Sequence, residues 1–149
     1  MQQPATPDFA ARVKSSFDRQ AFMTTVGARL VSIEPGHVVI EWPFSEKLTQ
    51  QHGFLHAGVI AAVADSACGY AALTLMPERV AVLAVEFKIN LIKPAKGELF
   101  RAVAKVVRAG RTLSVCGAEV QAYVAGNGTT IAVMQGTMMA VPEKSGMVD

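Results

Sequence analysis

Residues 57–76 read AGVIAAVADSACGYAALTLM, a stretch of helical length that is apolar on nearly every side. A helix resting on a surface keeps a polar stripe toward water, whereas one without such a stripe has to be enclosed. The rest of the chain must therefore supply walls, and its patterns are mostly those of strands. Leu83, Val85, Phe87, Ile89 and Leu91 alternate with Glu86, Lys88 and Asn90, so residues 80–92 are expected to form a strand with one apolar face. Residues 99–108, 111–124 and 130–141 follow as further strands, separated by Ala109-Gly110 and Gly126-Asn127-Gly128 turns. The predicted class is α+β: a curved antiparallel sheet wrapped around one long central helix, plus an N-terminal helix.

That N-terminal helix is expected from Phe9 to about Thr25, because Phe9, Val13, Phe17, Ala21 and Phe22 recur at helical spacing. Strands at 28–34 and 37–44 flank a Pro35-Gly36 turn, residues 45–55 form a polar loop, and Pro77 ends the central helix. A single domain over 9–141 is expected, between a disordered 1–8 and a flexible 142–149.

The run 59–76 approaches a membrane-spanning length, but Ala and Gly dominate it and Asp65 sits near its centre. No membrane role is expected. MQQPATPD lacks a basic start and an apolar core, so a cytoplasmic location is expected. A net charge of +2 does not argue for nucleic acid. Hydrophobic residues at 51% against 17% charged fit a chain with a covered subunit surface, and so an oligomer. Cys68 and Cys116 match neither a metal spacing nor a disulfide framework.

Asp65 is the one acid between Glu46 and Glu78, and it lies inside the greasy helix. A carboxylate there is either a structural hydrogen-bond acceptor or faces a working cavity. Gly53, His56 and Gly58 lie where a loop turns into the helix, whose first N–H groups are free donors. A buried acid and a helix start are two parts of an acyl-transfer site.

The order of elements and the central motif resemble the hotdog fold, in particular the small thioesterases of the phenylacetate-operon (PaaI-like) type. That family's pattern is an amide residue, a loop Gly, His-Gly-Gly, and an acid eight residues after the first of those glycines. Here Gln50, Gly53, His56-Ala57-Gly58 and Asp65 stand at matching intervals, and VEFKINLIKPAKGE and RAGRTL resemble later segments of these enzymes. The resemblance covers roughly residues 20–141. It departs at Ala57, where the family has Gly, at Gln50, where Asn is common, and at Ala84, where some relatives carry a water-assisting hydroxyl.

The resemblance implies hydrolysis of an acyl-CoA thioester, with Asp65 as general base or nucleophile. The Ala57 N–H, with Gly58, would stabilise the oxyanion, and Gln50 would hold the carbonyl or the water, with Gln51 as competitor. His56 is expected to set the helix entry. His52 and His56 lack a third ligand, so no metal site is expected. Phe54, Val59, Val63 and Leu83 are candidate walls of an apolar acyl slot. Between residues 88 and 111 there are seven basic residues and one acid, so Lys93, Lys96, Arg108 and Arg111 are candidates for coenzyme A phosphates, with Lys88 and Asn90 beside them. No cofactor is expected beyond coenzyme A as part of the substrate.

Residues 57 and 65 lie about 12 Å apart along one helix, too far for one carbonyl to meet both. A homodimer with shared sites is therefore expected, within a tetramer as a further option. Two other readings stay open: an acyl-CoA-binding module without turnover, and a hotdog dehydratase or hydratase using a His base.

Overall fold

A computed structural model describes residues 3–142. Its elements are α1 (Phe9–Arg19), α2 (Ala21–Val26), β1 (Arg29–Glu34), β2 (His37–Pro43), a short 3-10 helix (Glu46–Leu48), α3 (Ala57–Leu73), β3 (Val80–Leu91), β4 (Leu99–Arg108), β5 (Leu113–Val124) and β6 (Asn127–Pro142). The strands form one sheet in the order β1-β2-β4-β5-β6-β3, with every neighbouring pair antiparallel. α3 packs against β2, β3, β4, β5 and β6, which is the hotdog arrangement that the sequence predicts. Among the described residues no helix is long and apolar enough to cross a membrane.

Composition explains why the sheet can close so tightly on α3. Ala64, Ala67, Ala71 and Ala72 have no exposed surface, and their methyl groups let the strand residues Ile40, Trp42, Phe100 and Val120 come close. β4 and β5 alternate strictly, sending Phe100, Ala102, Ala104, Cys116, Ala118 and Val120 toward the helix. On the sheet's other face, buried Glu41 of β2 bridges Arg29 of β1 and Arg101 of β4, the first pair at 2.5 Å.

Four details differ from the sequence expectation, each for a local reason. The N-terminal helix is two helices, because Gln20 is extended (φ −81, ψ 94) and ends one while starting the other. α3 stops at Leu73 rather than Met76, where the Thr74 hydroxyl donates to Ala71 O and accepts from Gly36 N, both at 2.7 Å. The last hairpin turns at Ala125-Gly126 (φ 47 and 79), and Val124 pairs with Asn127. Gly128 serves instead to admit the Tyr123 ring, which a Cβ would meet at 2.9 Å.

The fourth detail bears on the site. Between Ala84 and Glu86 the β3 register slips, leaving Val85 as an extra residue. Val82 and Ala84 precede the bulge and share the helix-side face with Met138; after it, Phe87, Ile89 and Leu91 take that face. Leu83 falls on the opposite face, so the five apolar residues expected on one side are divided.

Residues 3–8 make bends and a turn into α1, with Thr6 buried. Of the two expected loose ends, residues 1–2 and 143–149 lie outside the described residues.

Candidate active site

The approach to α3 is a braced loop. Gly53, at φ 80, closes a tight turn in which its N–H donates to Gln50 O at 3.0 Å and Gln50 N–H donates to Phe54 O at 2.9 Å. His56 N–H then donates to Leu48 O, and Leu55 N–H to Ala95 O. The loop therefore delivers its chain to the helix in one geometry.

His56 is the N-cap of α3, its Nδ1 accepting from Gly58 N–H at 2.8 Å. A Cβ on residue 58 would lie 2.9 Å from that nitrogen, so glycine makes the cap possible. With Gly58 N–H engaged, Ala57 N–H is the donor left without a partner among the described residues. It borders a hollow of about 390 Å³ lined also by Gln50, Phe54, Leu91, Ile92 and Lys93. The Gln50 Oε1 accepts from His52 N–H, and the same residue lines the hollow. Gln51 and His52 are exposed, with side chains 3.4 Å apart.

Asp65 lies two turns further along α3 in a different pocket of about 300 Å³. The walls are Ser16, Arg19, Gln20, Ser66, Gly69 and Tyr70, closed by Val82, Ala84 and Met138. Asp65 Oδ1 is buried and has no hydrogen-bond partner in the structure. Burial holds its carboxyl above the usual value of 3.8, since the charged form loses hydration. An unsatisfied acceptor in an open pocket is a poor structural strut but a competent base.

The Asp65 pocket meets the beginning of β3 and the Ala57 hollow meets its end. One chain thus holds the acid and the helix-start donor in separate places. Of the remaining candidates, Val63 has no exposed surface and Val59 has 8%, which seats both in the core. Leu83, just before the bulge, is 43% exposed on the far face. Lys88 and Asn90 border a groove on that far face with Glu86 and Gln135. Lys96, Arg108 and Arg111 are exposed, the last two flanking a turn where a Cβ on Gly110 would strike Leu113 O. Among the described residues no three His, Cys, Asp or Glu side chains are grouped to hold a metal.

Sequence reasoning passed over Ser16, Arg19, Gln20 and Tyr70. Their place depends on α1 docking: Arg12 donates to the carbonyls of Met76, Pro77 and Val80, and the Phe17 and Tyr70 rings meet edge-on at 5.9 Å. No local signal in residues 9–26 announces this.

Comparison with known proteins agrees with this fold. A family model described as the thioesterase superfamily matches residues 52–140. A solved thioesterase family protein from Silicibacter pomeroyi is 51% identical, covering 90% of this chain and 98% of that one, with a TM-score of 0.89. The Escherichia coli PaaI protein of the phenylacetic acid degradation operon has a TM-score of 0.81 over 92% of this chain and 96% of that one; at 20% identity it speaks for the fold. The 1,4-dihydroxy-2-naphthoyl-CoA hydrolase of Listeria monocytogenes is 30% identical over 61% of this chain and 74% of that one.

Proposed function

The chain belongs to the thioesterase superfamily, as a hotdog-fold hydrolase of the PaaI-like type, and from that premise we propose that it cleaves acyl-CoA thioesters with Asp65 as general base. The observation that carries this is Asp65 itself, which lines a pocket and whose buried Oδ1 has no hydrogen-bond partner among the described residues. A water donates one proton to the Asp65 carboxylate while its lone pair attacks the thioester carbon. The carbonyl π pair moves to oxygen, where the Ala57 N–H and the positive end of α3 receive the charge. Collapse of the intermediate breaks the C–S bond, and the proton held by Asp65 goes to the departing sulfur. Gln50 holds the carbonyl from the loop side. No metal or redox group is needed in these steps, and coenzyme A enters only with the substrate.

The sites are shared between two subunits in this proposal. Support comes from β3, an edge strand exposing Val85, Phe87 and Leu91, with exposed Ile92 directly after it. Its start borders the Asp65 pocket and its end borders the Ala57 hollow. Pairing two such strands antiparallel about a two-fold axis near Phe87 sets the start of one beside the end of the other. Asp65 would then face the partner's Ala57. Lys93, beside that hollow, and exposed Arg108 and Arg111 are the cations offered to coenzyme A phosphates. A reducing, cytoplasmic setting fits the two free, buried thiols.

The test incubates the protein with aryl- and alkyl-CoA esters and follows free thiol, with Asp65→Asn and Asp65→Ala alongside. Thiol release is expected, falling by about 10²-fold or more in both variants. Binding without release would make the chain an acyl-CoA sensor, and altered acyl unsaturation with the thioester intact would make it a dehydratase.

A further inference from the structure

The Asp65 pocket lacks one thing that the proposed reaction needs. A carboxylate can take a proton from water, but it does not by itself hold that water at the angle of attack. The β3 side chains that line the acid's pocket are those of Val82 and Ala84, and neither can hydrogen-bond. The donor has to come from elsewhere.

Gln20 fits that need. It sits where α1 breaks into α2, although Arg19-Gln20-Ala21 contains neither Gly nor Pro to cause a break. The break turns the Gln20 side chain into the pocket that Asp65 faces. Its Oε1 accepts from the hydroxyl of Ser66, the residue after Asp65, at 3.4 Å. The two N–H donors on Nε2 then have no partner among the described residues, and no direct Gln20–Asp65 hydrogen bond forms. A donor and an acceptor that border one cavity without touching leave a place for a bridging water.

We propose that Gln20 is a positioning residue, whose amide N–H donates to the attacking water while that water donates to Asp65. One water lone pair is taken by the amide and the other is aimed at the thioester carbon. The bonds made and broken are those of the hydrolysis described above, with Gln20 gaining and losing no proton. The extended backbone at residue 20 thus has a role: a continuous helix would direct this side chain elsewhere. The inference rests on the Asp65 reading.

The experiment compares Gln20→Leu, Gln20→Asn and Asp65→Asn with the unaltered protein on the thioester it hydrolyses best. Steady-state kinetics are combined with circular dichroism melts. Gln20→Leu is expected to lower kcat about tenfold or more with KM within about twofold, because the amide touches water and not the acyl group. Gln20→Asn keeps the donor and should recover part of the loss. If Gln20→Leu unfolds, Gln20→Asn against Gln20→Ser decides, since both keep a short polar side chain and only the first keeps the amide. Unchanged kcat in Gln20→Leu, or equal losses in KM, overturns the inference while Asp65→Asn remains inactive. Full activity in Asp65→Asn overturns the underlying mechanism instead.

Discussion

Asp65 concentrates the chemistry and a stability cost at one residue. Its carboxyl titrates above 3.8 in the folded chain because burial removes hydration from the charged form. The folded state therefore holds the proton more tightly than the unfolded state. What Asp65 contributes to stability is complete below the ordinary aspartate value and is lost as pH rises through the raised one. Asp65→Asn should accordingly melt at a higher temperature than the unaltered protein near pH 7, with the gain shrinking toward pH 3; melts across pH check this. Activity runs the other way, since the base must be ionised: kcat should fall on acidification with a midpoint above 3.8. A stabilised, inactive Asn variant is a signature of function placed at the expense of the fold.

At the scale of elements, the start of α3 and the edge strand β3 do the positioning. The cap by His56 uses the Gly58 N–H and so leaves one donor, that of Ala57, for a ligand. Proline is tolerated at the first helical position and has no N–H. His56 already has the extended backbone (φ −64, ψ 135) that a following proline prefers. Ala57→Pro should thus keep the fold and melting temperature while lowering kcat about 10²-fold, the typical loss for one oxyanion donor. A folded Ala57→Pro protein with full turnover would remove Ala57 from the mechanism. In β3 the bulge at Val85 decides which residues see the acid, giving Val82 and Ala84 to the pocket and Leu83 to the opposite face.

For the whole molecule, the separation of the two half-sites has a consequence that mixing can reveal. Asp65→Asn keeps a good helix start and Ala57→Pro keeps a good acid, so each alone forms dimers with no complete site. In a mixed dimer one of the two sites combines the intact Asp65 with the partner's intact Ala57. Unfolding and refolding the two variants together in equal amounts should restore about a quarter of the original activity, as random pairing of a two-fold dimer requires. No restoration would mean that each chain completes its own site. The buried thiols offer no competing chemistry, as burial pushes Cys68 up and Cys116 to about 12.

The sequence by itself determined the wrapped helix, because an all-round apolar segment admits few other fates, and it singled out Asp65 as a charge among small apolar residues. It also carried the braced loop, since Gly53 and Gly58 occupy positions where a positive φ or a close contact requires them. Only the tertiary structure decided which side chains surround the acid. Val59 and Val63 satisfy the helix period equally well as core or as slot lining, and packing put them in the core. Leu83 left the helix side because of a register slip that alternation cannot foresee, as one extra residue reverses every later side chain. Gln20 borders the pocket from a break between α1 and α2, and its side chain meets Ser66 of α3, 46 residues away in sequence. Local pattern fixes what each segment can become, whereas the neighbours of a reacting group depend on contacts distant in sequence, and those are resolved only when the chain has folded.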